Sequence, residues 1–277
     1  MRAGQERGTL EIVQPKIELI ASTALTMTAE GPAVIESDMP IDQDSTDSEA
    51  LITRAGRGCY EAYGRPNPAT AKDADYIRRT AFDMQHGSIL EHASATFRFS
   101  GVSRACLLEL ERHRHLSWSV VSQRYVDANT FGVVMPPALR DGDDAVGRDM
   151  WESGVAATFE EYDGWCADLA LKGFPRKQAR EAARSVLPNC TEVRGVVTGN
   201  LRAWSTILPL RAHPTADAEI QEVSRLIADA LEPVAPTVVQ HIKEQMAYAE
   251  LLEERPDREA VLARRKRIGE RHNKEHA

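Results

Sequence analysis

Arginine and histidine side chains crowd into one short stretch of the chain. Residues 112–125 hold three arginines and two histidines, in a protein whose formal net charge is -8. The guanidinium group is a planar fork of donors that matches phosphate or carboxylate, and it stays charged when partly desolvated. The stretch therefore predicts a bound phosphate. The alternative is an exposed helix end whose basic residues favour the helix dipole.

A second stretch, residues 86–92, places two imidazoles and a carboxylate within seven residues. Such a mixture is typical of a metal site or of an acid–base pair. A metal would require a third protein ligand, which the sequence does not identify. Histidines that cap a helix end and begin a strand are the structural alternative.

A third basic group follows Pro175, which is placed to begin a helix. Arg176, Arg180 and Arg184 recur at four-residue spacing and so share one face of that helix. Glu181 is the only acidic residue within the stripe. The face keeps a positive excess, which favours either a phosphate contact or a solvated basic surface.

Length and composition predict one large domain. The chain has 277 residues, 42% of them hydrophobic, and no Gly-, Ser- or Pro-rich linker divides it. We expect a domain over residues 16–245, a disordered tail over 1–15 and a charged tail over 246–277. The acidic composition, with a pI near 5.6, argues against a general nucleic-acid or membrane-surface binder.

The remaining composition signals concern compartment and redox state. No apolar run is long enough to span a bilayer and no signal-peptide core is present, so the expected location is the cytoplasm. The four cysteines are far apart and form no Cys-x-x-Cys pair, which indicates neither a disulfide framework nor a zinc ribbon. Each is expected to be a small buried hydrophobic side chain.

The elements that must position the basic residues can be read from hydrophobic periodicity. Alternation predicts strands over 16–22, 93–100 and 191–198, and helical spacing predicts helices over 49–60, 71–84, 149–171, 175–184, 201–210 and 217–231. Residues 27–48 are expected to form a long loop, and an apolar patch follows Pro236. Gly101 and Ser103 predict a turn and a helix cap that deliver the basic motif from a rigid helix, with a free loop after it.

Two familiar phosphate-binding signatures are missing. The chain has no Gly-x-Gly-x-x-Gly after a strand and no Walker loop. A bound dinucleotide would then be held by side chains and ordinary backbone amides. Several dispersed arginines suit a diphosphate and a monophosphate that lie close together.

The basic motif also carries a family resemblance. Arg112-His113-Arg114, followed after seven residues by Ser122-Gln123-Arg124-Tyr125, resembles the signature of flavin-dependent thymidylate synthases in its actinobacterial form. The resemblance covers most of residues 50–240. It implies an α+β fold of an antiparallel or mixed sheet packed with long helices, and a homotetramer whose sites are shared between subunits.

The resemblance implies an enzyme that converts dUMP to dTMP, in which reduced FAD supplies a hydride, 5,10-methylenetetrahydrofolate the carbon unit, and NADPH reduces the flavin. The implied flavin contacts are His86, Ser88, Glu91, Arg112, His113, Arg114, His115, Asn200 and Arg202. The implied dUMP contacts are Arg104, Glu109, Ser122, Gln123, Arg124, Tyr125, Arg184 and Arg211. Arg184 is expected at the phosphate, and Arg211 at the uracil as the catalytic residue; no metal is expected.

Three positions qualify that reading. Ser122 fits a substrate contact better than a nucleophile, because its neighbour Arg124 cannot accept a proton. Val120 stands where the family often has Glu or Gln, and Thr215 stands where it usually has His, with His213 two residues earlier. The alternatives from other classes are a non-catalytic nucleotide- or RNA-binding protein and a histidine-based metallohydrolase.

Overall fold

The computed structural model describes residues 10–28, 31–32, 42–65 and 67–253. The strands are β1 (Ile12–Val13), β2 (Lys16–Ser22), β3 (Met27–Thr28), β4 (Gly31–Pro32), β5 (Ser94–Ser103), β6 (Leu116–Val120), β7 (Val133–Val134) and β8 (Glu192–Asn200). The helices are α1 (Asp47–Gly58), α2 (Asp73–Ile77), α3 (Arg104–Leu110), α4 (Pro137–Arg140), α5 (Ala145–Leu171), α6 (Arg176–Ala183), α7 (Leu201–Arg211), α8 (Ala218–Leu231) and α9 (Pro236–Glu253).

The main sheet is antiparallel throughout and has the strand order β2-β5-β8-β6. Phe97, Val197 and Trp118 lie in one register row on the face that carries the core. Phe97 meets Trp204 of α7 edge-on, with ring centroids 5.4 Å apart. Because period-2 alternation gives the sheet one apolar face, helices cover that face. The expected α+β architecture of a sheet packed with helices is confirmed.

The predicted strand–turn–helix unit is formed by β5 and α3. Gly101 adopts φ 65°, and a Cβ there would lie 1.9 Å from the carbonyl oxygen of Gln14, so the turn requires glycine. The hydroxyl of Ser103 accepts a hydrogen bond from the amide of Cys106 at 3.1 Å and caps α3. Glu219 accepts from both the amide and the hydroxyl of Ser103, at 2.7 and 2.6 Å. The start of α3 is therefore fixed from two sides.

The segment after the basic motif was expected to be a free loop, and that prediction is wrong. Residues 116–120 form β6, which pairs with β8 from Leu116↔Gly199 to Val120↔Gly195. Leu116, Trp118 and Val120 turn towards the core, whereas the intervening serines are exposed. The strand holds the two halves of the motif at its opposite ends.

Other boundaries differ from the expectations. The predicted helix 71–84 is the α-helix α2 followed by a π-helix over Arg78–Asp83. α9 runs to Glu253 with Met246 and Leu252 buried, past the expected domain end at residue 245. At the other end, β1 pairs with β7 inside the segment expected to be a disordered tail. Parts of the predicted tails and of the predicted loop lie outside the described residues, namely residues 1–9, 29–30, 33–41 and 254–277.

Two further expectations can be compared with the structure. Cys106 is buried as predicted, but Cys59 is exposed, and Cys166 and Cys190 are half-buried. The expectation of four buried cysteines was therefore wrong for Cys59, which lies just past the C-terminal end of α1. Within the described ranges, no helix is both long enough and apolar enough to cross a membrane.

Candidate functional site

A cavity of about 660 Å³ opens where the basic motif meets the first turns of α7. Leu116 pairs with Gly199, so the residues before β6 lie beside the end of β8. Asn200 ends β8 and caps α7 by accepting a hydrogen bond from the amide of Ala203 at 2.8 Å. The lining residues are Glu91, Arg112, His113, Arg114, His115, Asn200, Arg202, Ala203, Thr206 and Ile207. We call this the first cavity.

The first cavity carries an excess of positive charge. Three arginines line it, and Glu91 is the only acidic residue among the lining side chains. Glu91 forms an ion pair with Arg202, and both side chains are about half exposed. Pairs exposed to this extent contribute little stability, so a ligand can displace or share them. The lining residues are suited to an anionic ligand whose oxygen atoms accept hydrogen bonds from several guanidinium groups.

Arg211, at the end of α7, is held by a compact network beside the first cavity. Its Nε donates to Nε2 of His113 at 2.8 Å, and its two terminal nitrogens donate to the carboxylate and the carbonyl oxygen of Glu109, at 2.5 and 2.8 Å. Burial, followed by the charges of Arg211 and Arg112, lowers the pKa of His113 below its ordinary value. A neutral ring that accepts at Nε2 agrees with that direction. The guanidinium is therefore fixed in orientation before any ligand arrives.

The second half of the motif lies against α6. Nε of Arg124 pairs with Glu181 at 2.9 Å, and Arg180 donates to Asp127 at 2.6 Å and to the carbonyl oxygen of Tyr125 at 2.8 Å. Tyr125 is 62% exposed, and Nζ of Lys177 lies 5.1 Å from its ring centroid. The predicted basic stripe of α6 is thus partly neutralised by ion pairs. What stays accessible is an aromatic ring flanked by cations.

A family model described as "Thymidylate synthase complementing protein" matches residues 42–237 of this chain. The chain belongs to the family of flavin-dependent thymidylate synthases. It is 49% identical over 201 residues to a probable flavin-dependent thymidylate synthase of Mycobacterium phage L5, covering 71% of this chain and 81% of that one. It is 40% identical over 233 residues to the flavin-dependent thymidylate synthase of Mycobacteroides abscessus, covering 82% and 90%.

A solved structure supports the same fold. Thymidylate synthase X from Helicobacter pylori, crystallised with FAD and dUMP, superposes with a TM-score of 0.59 at 20% identity. The match covers 82% of this chain and 98% of that chain. At this identity the likeness concerns the fold alone.

For a flavin-dependent thymidylate synthase, the expected dUMP residues fall into two groups in the single chain. Glu109 and Arg211 lie beside the first cavity, whereas residues 122–125 follow the opposite end of β6 and pack with α6. A five-residue strand spans about 17 Å. In the single chain the two groups therefore lie at opposite ends of β6.

Four further expected site residues lie apart from the first cavity. His86 and Ser88 are exposed and do not line it, although Gly87 between them lines a neighbouring cavity. Arg104 begins α3 and so lies about 9 Å along the helix axis from Leu110. Arg184 follows α6 as its C-terminal cap residue and is half-buried.

Three residues that were not expected in the site also line the first cavity: Ala203, Thr206 and Ile207. Thr206 follows Arg202 by one helical turn, so both share a face of α7. That spacing was the available signal, and it was overlooked because Thr206 carries no charge.

The residues at which this chain departs from the usual family pattern contact other residues of the same chain. Val120 packs partly against the main core. Nδ1 of His213 bonds the hydroxyl of Thr215 at 2.8 Å, so these two side chains hold each other. Among the described residues, no group of three or more His, Cys, Asp or Glu side chains is placed to hold a metal ion.

Proposed function

We propose that this chain methylates dUMP to dTMP with bound FAD, taking the carbon unit from 5,10-methylenetetrahydrofolate and reducing equivalents from NADPH. The observation that carries the proposal is the first cavity, where Arg112, Arg114 and Arg202 converge in a chain of net charge -8. The names of the relatives support the same chemistry. The cytoplasmic location expected from the sequence stays a prediction.

The residues of the first cavity fit a flavin dinucleotide. Its volume lies within the range of small-molecule sites. The guanidinium groups of Arg112 and Arg114 match the oxygens of a diphosphate. Arg202 adds a third cation if its guanidinium group contacts both Glu91 and the diphosphate. Bound and reduced, the flavin supplies the hydride for the reaction. His113, His115 and Asn200 complete the wall that orients it.

Arg211 is the residue that we assign to polarising the uracil ring. A guanidinium carries five N–H groups, and three of them donate to His113 and Glu109, which leaves two for a substrate carbonyl. Because these contacts already orient Arg211 without ligand, its guanidinium group need not move as negative charge develops on the carbonyl oxygen of the uracil. Glu109 and His113 are positioning residues for Arg211 in this account.

The group around Ser122 completes the dUMP site from another copy of the chain. Ser122, Gln123, Arg124 and Tyr125 would bind the nucleotide there, with Arg184 at its phosphate. The separation of about 17 Å along β6 supports this arrangement, since the two groups must meet on one small ligand. A homotetramer with shared sites satisfies that requirement. Arg104 stays a weaker candidate for a dUMP contact.

The visible spectrum of the purified protein tests the flavin assignment. We expect flavin absorbance in the parent protein and its loss in Arg112→Ala, with the far-ultraviolet circular dichroism unchanged. Arg225→Ala is the matched control, because Arg225 is an exposed arginine on α8 that pairs with Glu250 away from the cavity. A parent protein that stays colourless after incubation with FAD, or full flavin occupancy in Arg112→Ala, contradicts the proposal.

A further inference from the structure

The short helix α3 is bound at both of its ends by the segment that joins α7 to α8. At the C-terminal end of α3, Glu109 accepts hydrogen bonds from Arg211, the last residue of α7. At its N-terminal end, Glu219 in the first turn of α8 accepts from the amide and the hydroxyl of Ser103. Residues 211–219 are therefore attached to α3 at two points, about 9 Å apart along the helix axis.

Glu219 is a half-buried carboxylate that binds two donors of one residue. Burial raises its pKa, whereas the two hydrogen bonds from Ser103 lower it. These bonds therefore favour the charged form, in which both oxygens are acceptors. Hydrogen bonds to a charged acceptor are stronger than bonds between neutral groups, so Glu219 holds the start of α3 firmly.

The other hydrogen bonds at the start of α3 do not involve the segment that follows Arg211. The next three amides of α3 donate to the carbonyl oxygens of Thr191 and Asn189 and to the hydroxyl of Ser103. Loss of the Glu219 carboxylate would leave those bonds in place. It would remove the hydrogen bonds that join the first turn of α8 to Ser103.

We propose that Glu219 is a positioning residue for Arg211. By joining the start of α8 to the start of α3, its carboxylate keeps the end of α7 where the guanidinium of Arg211 bonds Glu109 and His113. Glu219 acts through this geometry and contacts neither the flavin nor the uracil. Only the consequence for turnover of dUMP rests on the proposed function.

Two variants, Glu219→Ala and Glu219→Gln, test the proposal by two measurements. In flavin-stripped protein, the nuclear magnetic resonance titration midpoint of His113 should move upwards, because the charge of Arg211 is the largest cause of its lowered pKa after burial. In flavin-loaded protein, the turnover number for dUMP should fall about tenfold or more in Glu219→Ala, since a misplaced polarising group acts on turnover. Glu219→Gln keeps one acceptor oxygen and should show smaller effects of the same sign.

Glu222→Gln is the matched control on α8. Glu222 lies one turn after Glu219, is partly exposed and pairs with Arg140 at 3.0 Å. Its loss should leave both the midpoint and the turnover number unchanged. If Glu219 acts through Ser103, the double variant Ser103→Ala/Glu219→Ala should lose less turnover than the product of the two single losses.

Thermal melting identifies the folded variants, and the two measurements are read on those. A parental His113 midpoint or a parental turnover number in folded, flavin-loaded Glu219 variants overturns the proposal. Lower thermal stability without either change would assign Glu219 a purely structural role and would also overturn it. If the parent protein forms no dTMP, the proposed function fails, and the midpoint of His113 alone decides whether Glu219 positions Arg211.

Discussion

At the scale of single residues, the site depends on how Arg211 is held. His113 and Glu109 occupy three of its donors. Burial, followed by the charge of Arg211, lowers the pKa of His113. The family resemblance implied a role for all three residues. The sequence could not show that they bond one another, because Arg211 is about a hundred positions away in the chain and reaches His113 only where the end of α7 meets the end of α3.

The first prediction is that His113 titrates below its ordinary value of about 6.5. Burial and the nearby arginines disfavour the charged ring in the native state. The contribution of His113 to the free energy of unfolding is therefore full above pH 6.5 and is lost as pH falls from there through the lower folded pKa. Nuclear magnetic resonance of labelled histidine in the flavin-stripped protein gives the midpoint.

Replacing Arg211 with Gln should move that midpoint upwards, since one cause of the shift is removed while burial stays. A midpoint at or above 6.5 in the parent protein, or no movement in the variant, contradicts the network described for Arg211.

At the scale of elements, the short helix α3 connects the sheet to the basic motif. Its start is fixed by the Ser103 cap and by Glu219 of α8, and it ends two residues before Arg112. A seven-residue helix is marginal by itself, so its ends must be stabilised by contacts with other elements. The cap was predictable from Ser103, but the partner on α8 was not.

Ser103→Ala should lower the free energy of unfolding by about 1–2 kcal/mol, because the cap and the buried partner of Glu219 are lost together. Urea unfolding measures the change. Ser153→Ala is the matched control: Ser153 is an exposed residue within α5 and should change stability by less than about 0.5 kcal/mol. Equal effects of the two substitutions would show that the cap is unimportant.

The strands and long helices were largely predictable, and the exceptions have physical reasons. Residues 116–120 alternate in polarity as a strand should, but the flanking cations favoured the interpretation as a loop. The π-helix over residues 78–83 keeps the same apolar residues as an α-helix, so periodicity could not separate the two. The end of α9 was missed because Met246 and Leu252 lie among charged neighbours.

At the level of the whole molecule, the two halves of the motif lie at opposite ends of β6. β6 separates the first cavity from the residues after Val121 by about 17 Å. The sequence shows both halves as one continuous motif, and the pairing of β6 with β8 shows that a strand separates them.

Shared sites predict complementation between two inactive variants. Arg211→Ala and Arg124→Ala should each abolish turnover alone, whereas co-expressed chains should recover roughly a quarter of the sites, those that receive an intact residue from each chain. Differently tagged chains allow the mixed assemblies to be purified. Mixed assemblies that stay as inactive as their parents would place both residues in a site formed within one chain.

Product formation from dUMP is the most direct test of the proposed activity. Flavin-loaded protein supplied with 5,10-methylenetetrahydrofolate and NADPH should convert dUMP to dTMP, and protein stripped of flavin should not until FAD is restored. A flavin-loaded, folded protein that forms no dTMP under these conditions, or flavin-stripped protein that forms it equally well, would contradict the account.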